Sequence, residues 1–263
     1  MSNLKLGPSF VMIGTGNLSF HLGKALKEKG YSLLQVVGRN PIKTKKFAQN
    51  FRAVSFTTKI SQITKDADIY FFCVNDDQLE AIAKKIDLKG KLMVHCSGSV
   101  PMSILQPASS QYGVMYPLYT FSGEDKQVDF HEVPIFIESS SALARKKIQG
   151  IACDLSSKVR LLNSDKRKKL HLAAVMSANF SNLLYQLSNE YLQKEKAGRF
   201  SDLLPLLRKT IDKLELHSPH KVQTGPASRK DKQTISKHLN LLKNHKEHQK
   251  IYRMLSAAIE SRS

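Results

Sequence analysis

The stretch that decides the fold is Phe10-Val11-Met12-Ile13-Gly14-Thr15-Gly16-Asn17-Leu18-Ser19. An apolar run leads into two glycines, and helical spacing of apolar residues follows as far as Gly30. The glycines let the backbone turn tightly and approach a pyrophosphate, which then lies on the free N–H groups of a helix N-terminus. An ordinary glycine turn is the alternative, but the position between strand and helix favours a dinucleotide site. The predicted cofactor-binding residues of this turn are Gly14, Thr15, Gly16, Asn17 and Leu18.

Short apolar runs rich in β-branched and aromatic residues recur along the first part of the chain, with helical stretches between them. Their hydrophobicity is continuous, which is typical of strands covered on both faces. We therefore expect an α/β Rossmann-type domain with a parallel sheet of βαβ units over residues 1–163. The predicted strands cover residues 10–13, 33–37, 69–74, 92–95, 114–116 and 135–137, and residues 159–162 could form the last one.

Beyond residue 163 the apolar residues repeat at steps of three and four, which predicts an all-α domain over residues 164–263. One long helix is expected to end near Gly198, a second to stop before Pro219, and a third to follow. The last helix, over residues 251–259, matches the helical template completely. A Gly-Pro segment at residues 224–231 cannot be regular helix.

The 263 residues include 41 Lys and Arg against 22 Asp and Glu, a formal net charge of +19 at pH 7. Such a charge suggests nucleic acid, an anionic small ligand or a solvated lysine-rich surface. Nucleic-acid binding predicts a basic stripe with interleaved aromatic residues. The lysine-rich stretches near residues 43, 166 and 243 contain few aromatics, so we expect no nucleic-acid partner.

No apolar run approaches the roughly 20 residues of a membrane span, and the first seven residues lack the apolar region of a signal peptide. We expect a cytoplasmic protein without a membrane partner. Three widely spaced cysteines, Cys73, Cys96 and Cys153, then predict reduced thiols rather than a disulfide framework. Nothing in the sequence near Cys96 argues for the lowered pKa of a nucleophile.

The second predicted strand ends in Val37-Gly38-Arg39-Asn40. Sites specific for NAD place an acidic residue about 20 positions beyond the glycines, where it binds the ribose 2′-hydroxyl. No Asp or Glu occurs between Lys29 and Lys65, and Arg39 stands where a guanidinium can hold a 2′-phosphate. A solvated charge at the start of a helix is the alternative for Arg39. The pattern favours NADP as cofactor, bound by Arg39 and Asn40.

Two further pairs of residues follow the ends of predicted strands. Val74 and Asn75 follow one strand, and Ser97 and Gly98 follow the next. Ligands of open α/β sheets bind outside the carboxyl ends of the strands. We expect Val74 and Asn75 to line the cofactor, and the small residues Ser97 and Gly98 to leave space for a nicotinamide ring.

These motifs resemble a bacterial family that pairs a Rossmann-like NADP-binding domain with a helical domain of unknown function. The likeness extends to residues 115–121, 170–174, 179–180 and 224–231. More distantly, the chain is similar to pyrroline-carboxylate reductases, deazaflavin-dependent NADP oxidoreductases and enzymes with a 6-phosphogluconate-dehydrogenase-like helical domain. The resemblance implies NADP binding, a helical domain that mediates dimerisation, and an oxidoreductase activity of undefined substrate. Related dehydrogenases often carry a histidine where this chain has Tyr116, so a histidine acid/base is excluded there.

The start of the long helix is the expected place for residues that act on the substrate. Projected at about 100° per residue, Lys168, Asn179 and Asn182 fall within about 80° of His171. Hydride addition to a carbonyl or imine needs a proton donor and a neighbour that orients the substrate. We assign these roles to His171 and Asn179, with Lys168 binding a carboxylate and Asn182 contacting the substrate. A purely structural histidine is the alternative.

Two other sets of polar residues in the predicted helical domain are candidates for function. Arg229 in the Gly-Pro segment could close over an anionic substrate from the same or a partner subunit, or pair with Asp231 and order the loop. Five histidines beyond residue 216 are expected on solvated helix faces, and no metal site is predicted. They are His217, His220, His238, His245 and His248.

Together these patterns predict an NADP-dependent oxidoreductase that acts on a small carbonyl or imine substrate, and the resemblance implies a homodimer. An anionic substrate would account for Lys168 and Arg229. The alternative is an NADP(H)-binding sensor or regulatory protein without turnover.

Overall fold

The computed structural model describes residues 7–51, 55–123 and 128–263. The chain forms two compact units, Met1–Met176 and Ser177–Ser263. A sheet with covering helices makes up the first, and helices make up the second, which confirms the predicted fold class. By packing, the helix that begins at Ser164 belongs to the first unit, and the division into functional domains after residue 163 stays a prediction.

The first unit is built on an eight-stranded sheet with the order β3-β2-β1-β4-β5-β6-β7-β8. The order reverses between β1 and β4, and the carboxyl ends of strands at such a reversal form a ligand crevice. The strands are β1 Ser9–Ile13, β2 Ser32–Val37, β3 Ser55–Thr57, β4 Ile69–Phe72, β5 Leu92–His95, β6 Gln111–Pro117, β7 Ile135–Ser139 and β8 Val159–Leu161.

The sheet is mostly parallel, as predicted, but one strand departs from this arrangement. β7 pairs antiparallel with β6, whereas all other neighbours pair parallel. A parallel return would need a long crossover connection, usually a helix. The described residues between β6 and β7 contain a single 3₁₀ turn, Phe130–Glu132, and no crossover helix.

The sequence pattern did not predict strand β3, because its three residues are too few to form a recognisable apolar run.

Among the described residues, the first unit contains five α-helices. They are α1 Asn17–Glu28, α2 Pro41–Asn50, α3 Asp76–Ala83, α4 Ala142–Leu155 and α5 Ser164–Ala174. Phe10 of β1 and Leu22 of α1 share one apolar cluster, and Val11 of β1 and Leu79 of α3 share another. Both faces of the sheet are therefore covered, as the continuous apolar runs predict.

The second unit contains the α-helices α6 Phe180–Glu195, α7 Leu204–Leu216, α8 Pro219–Val222, α9 Lys232–Leu241 and α10 Lys246–Glu260. A π-helical turn, Val175–Asn179, joins α5 to α6, so the predicted long helix carries an irregular turn in its middle. The helix α6 is capped at its C-terminus by Lys196, shortly before Gly198. Lys196 lies in the left-handed region, with φ of 51°. None of the helices in the described part of the chain has the length and apolar composition that a membrane crossing needs.

Candidate active site

The glycine turn after β1 has the geometry of a phosphate-binding loop. Gly14 has φ of 119°, and a Cβ there would lie 2.1 Å from the carbonyl oxygen of Cys73. Only glycine fits such a position. Gly16 precedes α1 as its N-cap, and no described atom lies within 4 Å of where its Cβ would be. The N-terminus of α1 is thus open to a bound anion.

A cavity of about 450 Å³ lies at the carboxyl ends of β1, β2 and β4. Seven of the predicted cofactor-binding residues line it: Gly14, Thr15, Gly16, Arg39, Asn40, Val74 and Asn75. Lys43, Gln78 and Lys85 add polar groups, while Ile60 and Ile82 add apolar wall. The free helix N-terminus, the cationic groups and the apolar wall fit the phosphates and adenine of a dinucleotide.

Arg39 lines this cavity because the backbone just before it packs tightly against the glycine turn. A Cβ on Gly38 would lie 2.3 Å from Thr44 Oγ1 and 2.9 Å from Thr15 Cγ2. The side chain of Asn40 accepts a hydrogen bond from the backbone N–H of Lys43 at 3.0 Å and caps α2. The Asn40 side chain therefore has a structural task beside its predicted role in cofactor binding.

Four predicted cofactor-binding residues do not line this cavity, namely Asn17, Leu18, Ser97 and Gly98. Asn17 donates from Nδ2 to the carbonyl oxygen of Phe121 at 3.2 Å, and Leu18 packs against the core. The Oγ atom of Ser97 accepts from the backbone N–H groups of Ser99 and Val100 at 3.1 Å each. The structure shows contacts of these side chains within the protein, and their contact with the cofactor stays a prediction.

At the carboxyl end of β5 and β6, Tyr116 and His171 form a hydrogen-bonded pair. The phenolic oxygen lies 2.9 Å from His171 Nδ1, and the two rings meet edge to face. A Cβ on Gly98 would lie 2.6 Å from His171 Nδ1 and 2.9 Å from Tyr116 Cζ. The missing side chain of Gly98 therefore lets α5 approach the sheet. Sequence reasoning set Tyr116 aside, although its place at a strand end could have marked it.

A buried ionic network lies beside this pair. Arg167 is fully buried and forms an ion pair with Glu138 of β7 at 2.5 Å. Its guanidinium also donates to the Val100 carbonyl oxygen, and Ser164 Oγ donates to Glu138 at 2.7 Å. Arg167 is buried although the lysines on either side of it are exposed, because a carboxylate on the sheet meets it. The sequence signal for this burial is that Arg167 lies three residues before the partly buried Leu170, so the two share one face of α5.

Burial shifts the pKa of Tyr116 and of the nearby His95. It raises the pKa of the Tyr116 phenol, and the nearby carboxylate of Asp76 adds to the rise while Arg167 opposes it. The phenol is therefore protonated at neutral pH. Burial and the charge of Arg167 lower the pKa of His95 to about 3, so this imidazole is neutral.

The remaining predicted catalytic and substrate residues are divided between the two units. Lys168 is exposed on α5, in the same unit as His171. Asn179, Asn182 and Arg229 are exposed and belong to the second unit. Their joint action on a substrate with His171 stays a prediction.

Asp231, the candidate partner of Arg229, caps α9. Its carboxylate accepts from the backbone N–H and the hydroxyl of Thr234 at 3.0 Å and 2.7 Å. These bonds lower the pKa of the Asp231 carboxyl, and Arg229 contributes less to the fall. The main partner of Asp231 is therefore within its own helix.

The histidines beyond residue 216 are not all on solvated faces, contrary to the prediction. His245 is 7% exposed, with Nε2 at 2.8 Å from Glu195 Oε1. His238 Nδ1 lies 2.8 Å from the Tyr252 hydroxyl, and His248 bonds a backbone carbonyl of α6. These side chains form contacts between helices of the second unit.

In the described part of the chain, no group of three or more His, Cys, Asp or Glu side chains is placed to hold a metal ion.

Comparison with known proteins identifies the family. Residues 9–98 match the family model described as NADP oxidoreductase, coenzyme F420-dependent, and residues 133–259 match a domain of unknown function, DUF2520. The solved structure of the putative NADP oxidoreductase of Bacteroides fragilis is 37% identical, with a TM-score of 0.88 over 97% of this chain and 98% of that one. The chain belongs to this family of NADP oxidoreductases. NADP is its cofactor, which confirms the prediction made from Arg39 and the glycine turn.

More distant structures share the fold of this oxidoreductase. The imine reductase of Myxococcus stipitatus in complex with NADP⁺ is 17% identical, with a TM-score of 0.63 over 97% of this chain and 92% of that one. The reductive aminase of Aspergillus terreus in complex with NADPH and ethyl levulinate is 14% identical, with a TM-score of 0.68 over 97% and 93%. No curated protein matches the chain.

Proposed function

We propose that this oxidoreductase reduces a small carbonyl or imine substrate and that Tyr116 and His171 supply the proton. The observation that carries the proposal is the 2.9 Å bond between the two side chains, beside Gly98 at the carboxyl end of the sheet. When bound, NADPH supplies the hydride. The chain itself must provide a proton for the nitrogen or oxygen that gains electrons.

The pair has the chemistry of a proton donor. The Tyr116 phenol keeps its proton at neutral pH because burial raises its pKa. With a proton on Nδ1, the imidazole of His171 donates to the phenolic oxygen and leaves the phenol proton free for the substrate. As Tyr116 donates, the imidazole stabilises the developing negative charge on its oxygen and can replace the proton.

Arg167 acts on this pair as a positioning residue. Its guanidinium joins α5 to Glu138 of β7 and to the carbonyl oxygen of Val100. His171 lies one helical turn further along α5, so the network fixes where its ring meets Tyr116. A buried positive charge also favours the charged form of a phenol that has given up its proton.

The substrate class follows from the chemistry of the pair and from the named relatives. A single proton delivered beside a hydride suits a C=N or C=O bond, and two structures of the same fold carry the names imine reductase and reductive aminase. We assign substrate contacts to Asn179, Asn182 and Arg229, and a carboxylate contact to Lys168. An anionic imine or keto acid would form ion pairs with Lys168 and Arg229.

Turnover with a substrate panel tests the proposal. NADPH oxidation is followed by absorbance with cyclic imines, keto acids and keto esters, each offered with and without an amine. We expect turnover with at least one imine or carbonyl compound, and its loss in His171→Gln with NADPH binding retained. Turnover that survives unchanged in His171→Gln would contradict the assigned proton donor, and a purely unreactive panel would contradict the substrate class.

The same proposal includes a homodimer in the cytoplasm, formed through the helical unit. Several large apolar side chains of this unit are exposed, among them Leu206, Ile211, Leu216, Leu241 and Met254. Contiguous exposed apolar patches are typical of protein interfaces, so a shared patch formed by these side chains would support the homodimer. Light scattering coupled to size exclusion should give twice the chain mass, and a monomer would contradict it.

A further inference from the structure

We propose that Cys73 and Cys96 form a redox-sensitive dithiol that closes to a disulfide and thereby weakens NADP binding. The two sulfur atoms lie 3.6 Å apart, with the Cys73 thiol donating to Cys96. The inference concerns the cofactor site alone and does not depend on the proton donor or the substrate.

The strands bring the two cysteines into register. β4 and β5 pair parallel with Phe72 opposite His95, and Cys73 and Cys96 directly follow the two strands. Neighbouring strands lie about 4.8 Å apart, and the Cα atoms of disulfides usually lie about 4.4 to 6.8 Å apart. Both side chains pack on the same face of the sheet. Closing the sulfur atoms to about 2.05 Å needs a movement of about 1.5 Å.

The two thiols differ in access to solvent. Cys73 is partly exposed and lines the cofactor cavity. Cys96 is 5% exposed, and both its contact with Cys73 and its burial raise the pKa of its thiol. An oxidant that enters the cavity therefore reaches Cys73 first, and Cys96 is placed to resolve the product.

The reaction needs an oxidant, and hydrogen peroxide is the class we assign. The sulfur of Cys73 attacks one peroxide oxygen, the O–O bond breaks, and a sulfenic acid and one water form. The sulfur of Cys96 then attacks Cys73, the S–S bond forms, the S–O bond breaks, and a second water leaves. The two thiols lose two electrons and two protons in total, and the peroxide is reduced to two waters.

Contacts of Cys73 link this change to the cofactor. Its carbonyl oxygen accepts from Ser19 Oγ at 3.3 Å, and it is the atom that a Cβ on Gly14 would strike. The glycine turn therefore packs directly on the backbone of Cys73. Drawing Cys73 toward Cys96 shifts the surface on which the phosphate loop lies. By reciprocity, bound NADPH favours the dithiol over the disulfide at equilibrium. NADPH in the cavity also blocks the path of the oxidant to Cys73, which should slow the oxidation.

The test measures cofactor binding by the full chain before and after peroxide. Fluorescence titration should give a Kd for NADPH about tenfold higher after oxidation, restored by a dithiol reductant. Peptide mass mapping should find Cys73 linked to Cys96, with two hydrogen atoms lost, and saturating NADPH should slow the linkage. Cys96→Ser should abolish the effect, and Cys153→Ser, which changes an exposed thiol on α4, should leave it intact.

Two results would overturn the proposal. One is an oxidised wild-type protein in which mapping finds no link between Cys73 and Cys96. The other is a complete link with an unchanged Kd for NADPH. Both readouts use the wild-type chain with and without reductant, so they hold even if Cys96→Ser folds poorly.

Discussion

Tyr116 and His171 are 55 residues apart in sequence, yet the phenolic oxygen of one lies 2.9 Å from Nδ1 of the other. Gly98 makes the contact possible, since any side chain there would occupy the space of the imidazole. A strand end, a loop and a helix thus meet at one polar pair on the side of the sheet where ligands bind.

Adding one methyl group at Gly98 should separate this pair. In Gly98→Ala the new Cβ would lie 2.6 Å from His171 Nδ1, so the ring must move and its bond to Tyr116 should break. We expect turnover to fall about tenfold or more, which is the usual loss when a catalytic group is misplaced. Gly150→Ala on α4 is the control, because its Cβ meets no described atom within 4 Å. Equal activity of the two variants would contradict the role of Gly98.

The two glycines of the phosphate loop should respond differently to alanine. Gly14→Ala forces a Cβ against the Cys73 carbonyl and requires φ of 119°, so we expect a marked fall in melting temperature. Gly16→Ala has space within the protein, so the fold should hold while NADPH affinity falls as the methyl meets the pyrophosphate. Melting curves and binding titrations separate the two effects. A Gly16→Ala protein that binds NADPH normally would refute the proposed phosphate position.

Arg39 should decide the preference between the two nicotinamide cofactors. In Arg39→Ala the Kd for NADPH should rise by about tenfold to a hundredfold, which corresponds to one lost charge-assisted contact. The Kd for NADH should change little, because NADH has no 2′-phosphate. Lys45→Ala is the control on the neighbouring helix. A wild-type preference for NADH would contradict this assignment.

The buried ion pair should matter far more than an exposed one. Glu138→Gln leaves the guanidinium of Arg167 buried without its counter-charge, which should cost about 3 to 5 kcal/mol of unfolding free energy. The control is Glu132→Gln, whose partner Lys158 is exposed, and we expect no measurable change there. Urea unfolding measures both. If the two variants unfold alike, the network does not stabilise the fold.

His95 should make the protein sensitive to acid. Its pKa is about 3 in the fold against 6.5 for an ordinary histidine, because burial and Arg167 oppose its charge. Between these pH values the unfolded chain binds more protons, so stability falls as pH falls from neutral toward 3. The unfolding free energy of the wild type should drop between pH 7 and pH 5 by more than that of His95→Gln. Equal drops would show that another group is responsible.

The phosphate loop and the cofactor preference could be predicted from sequence because both depend on local order. Gly14 and Gly16 closely follow β1, and Arg39 closely follows the end of β2. Short motifs of this kind determine the local backbone conformation from neighbouring residues alone. The same holds for the apolar runs that became strands and for the helical spacing beyond residue 163.

The polar pair and the ionic network could not be predicted, since each joins distant segments. Arg167 lies among three lysines and differs from them because Glu138, 29 residues away, meets it on the sheet. The antiparallel return of β7 likewise depends on the nature of the connection, not on the strand's own residues. His171 was predicted as a candidate from the sequence, but its bond to Tyr116 depends on the fold.

The most direct test of the account is the rate of NADPH oxidation by Tyr116→Phe at saturating substrate. Phenylalanine keeps the ring but removes the hydroxyl that would donate the proton. We expect the rate to fall about 10² to 10⁴-fold, the usual loss of a general acid, with the Kd for NADPH unchanged. Tyr119→Phe, which removes an exposed hydroxyl, should keep full activity. A Tyr116→Phe enzyme with the wild-type rate would contradict the proposed proton donor.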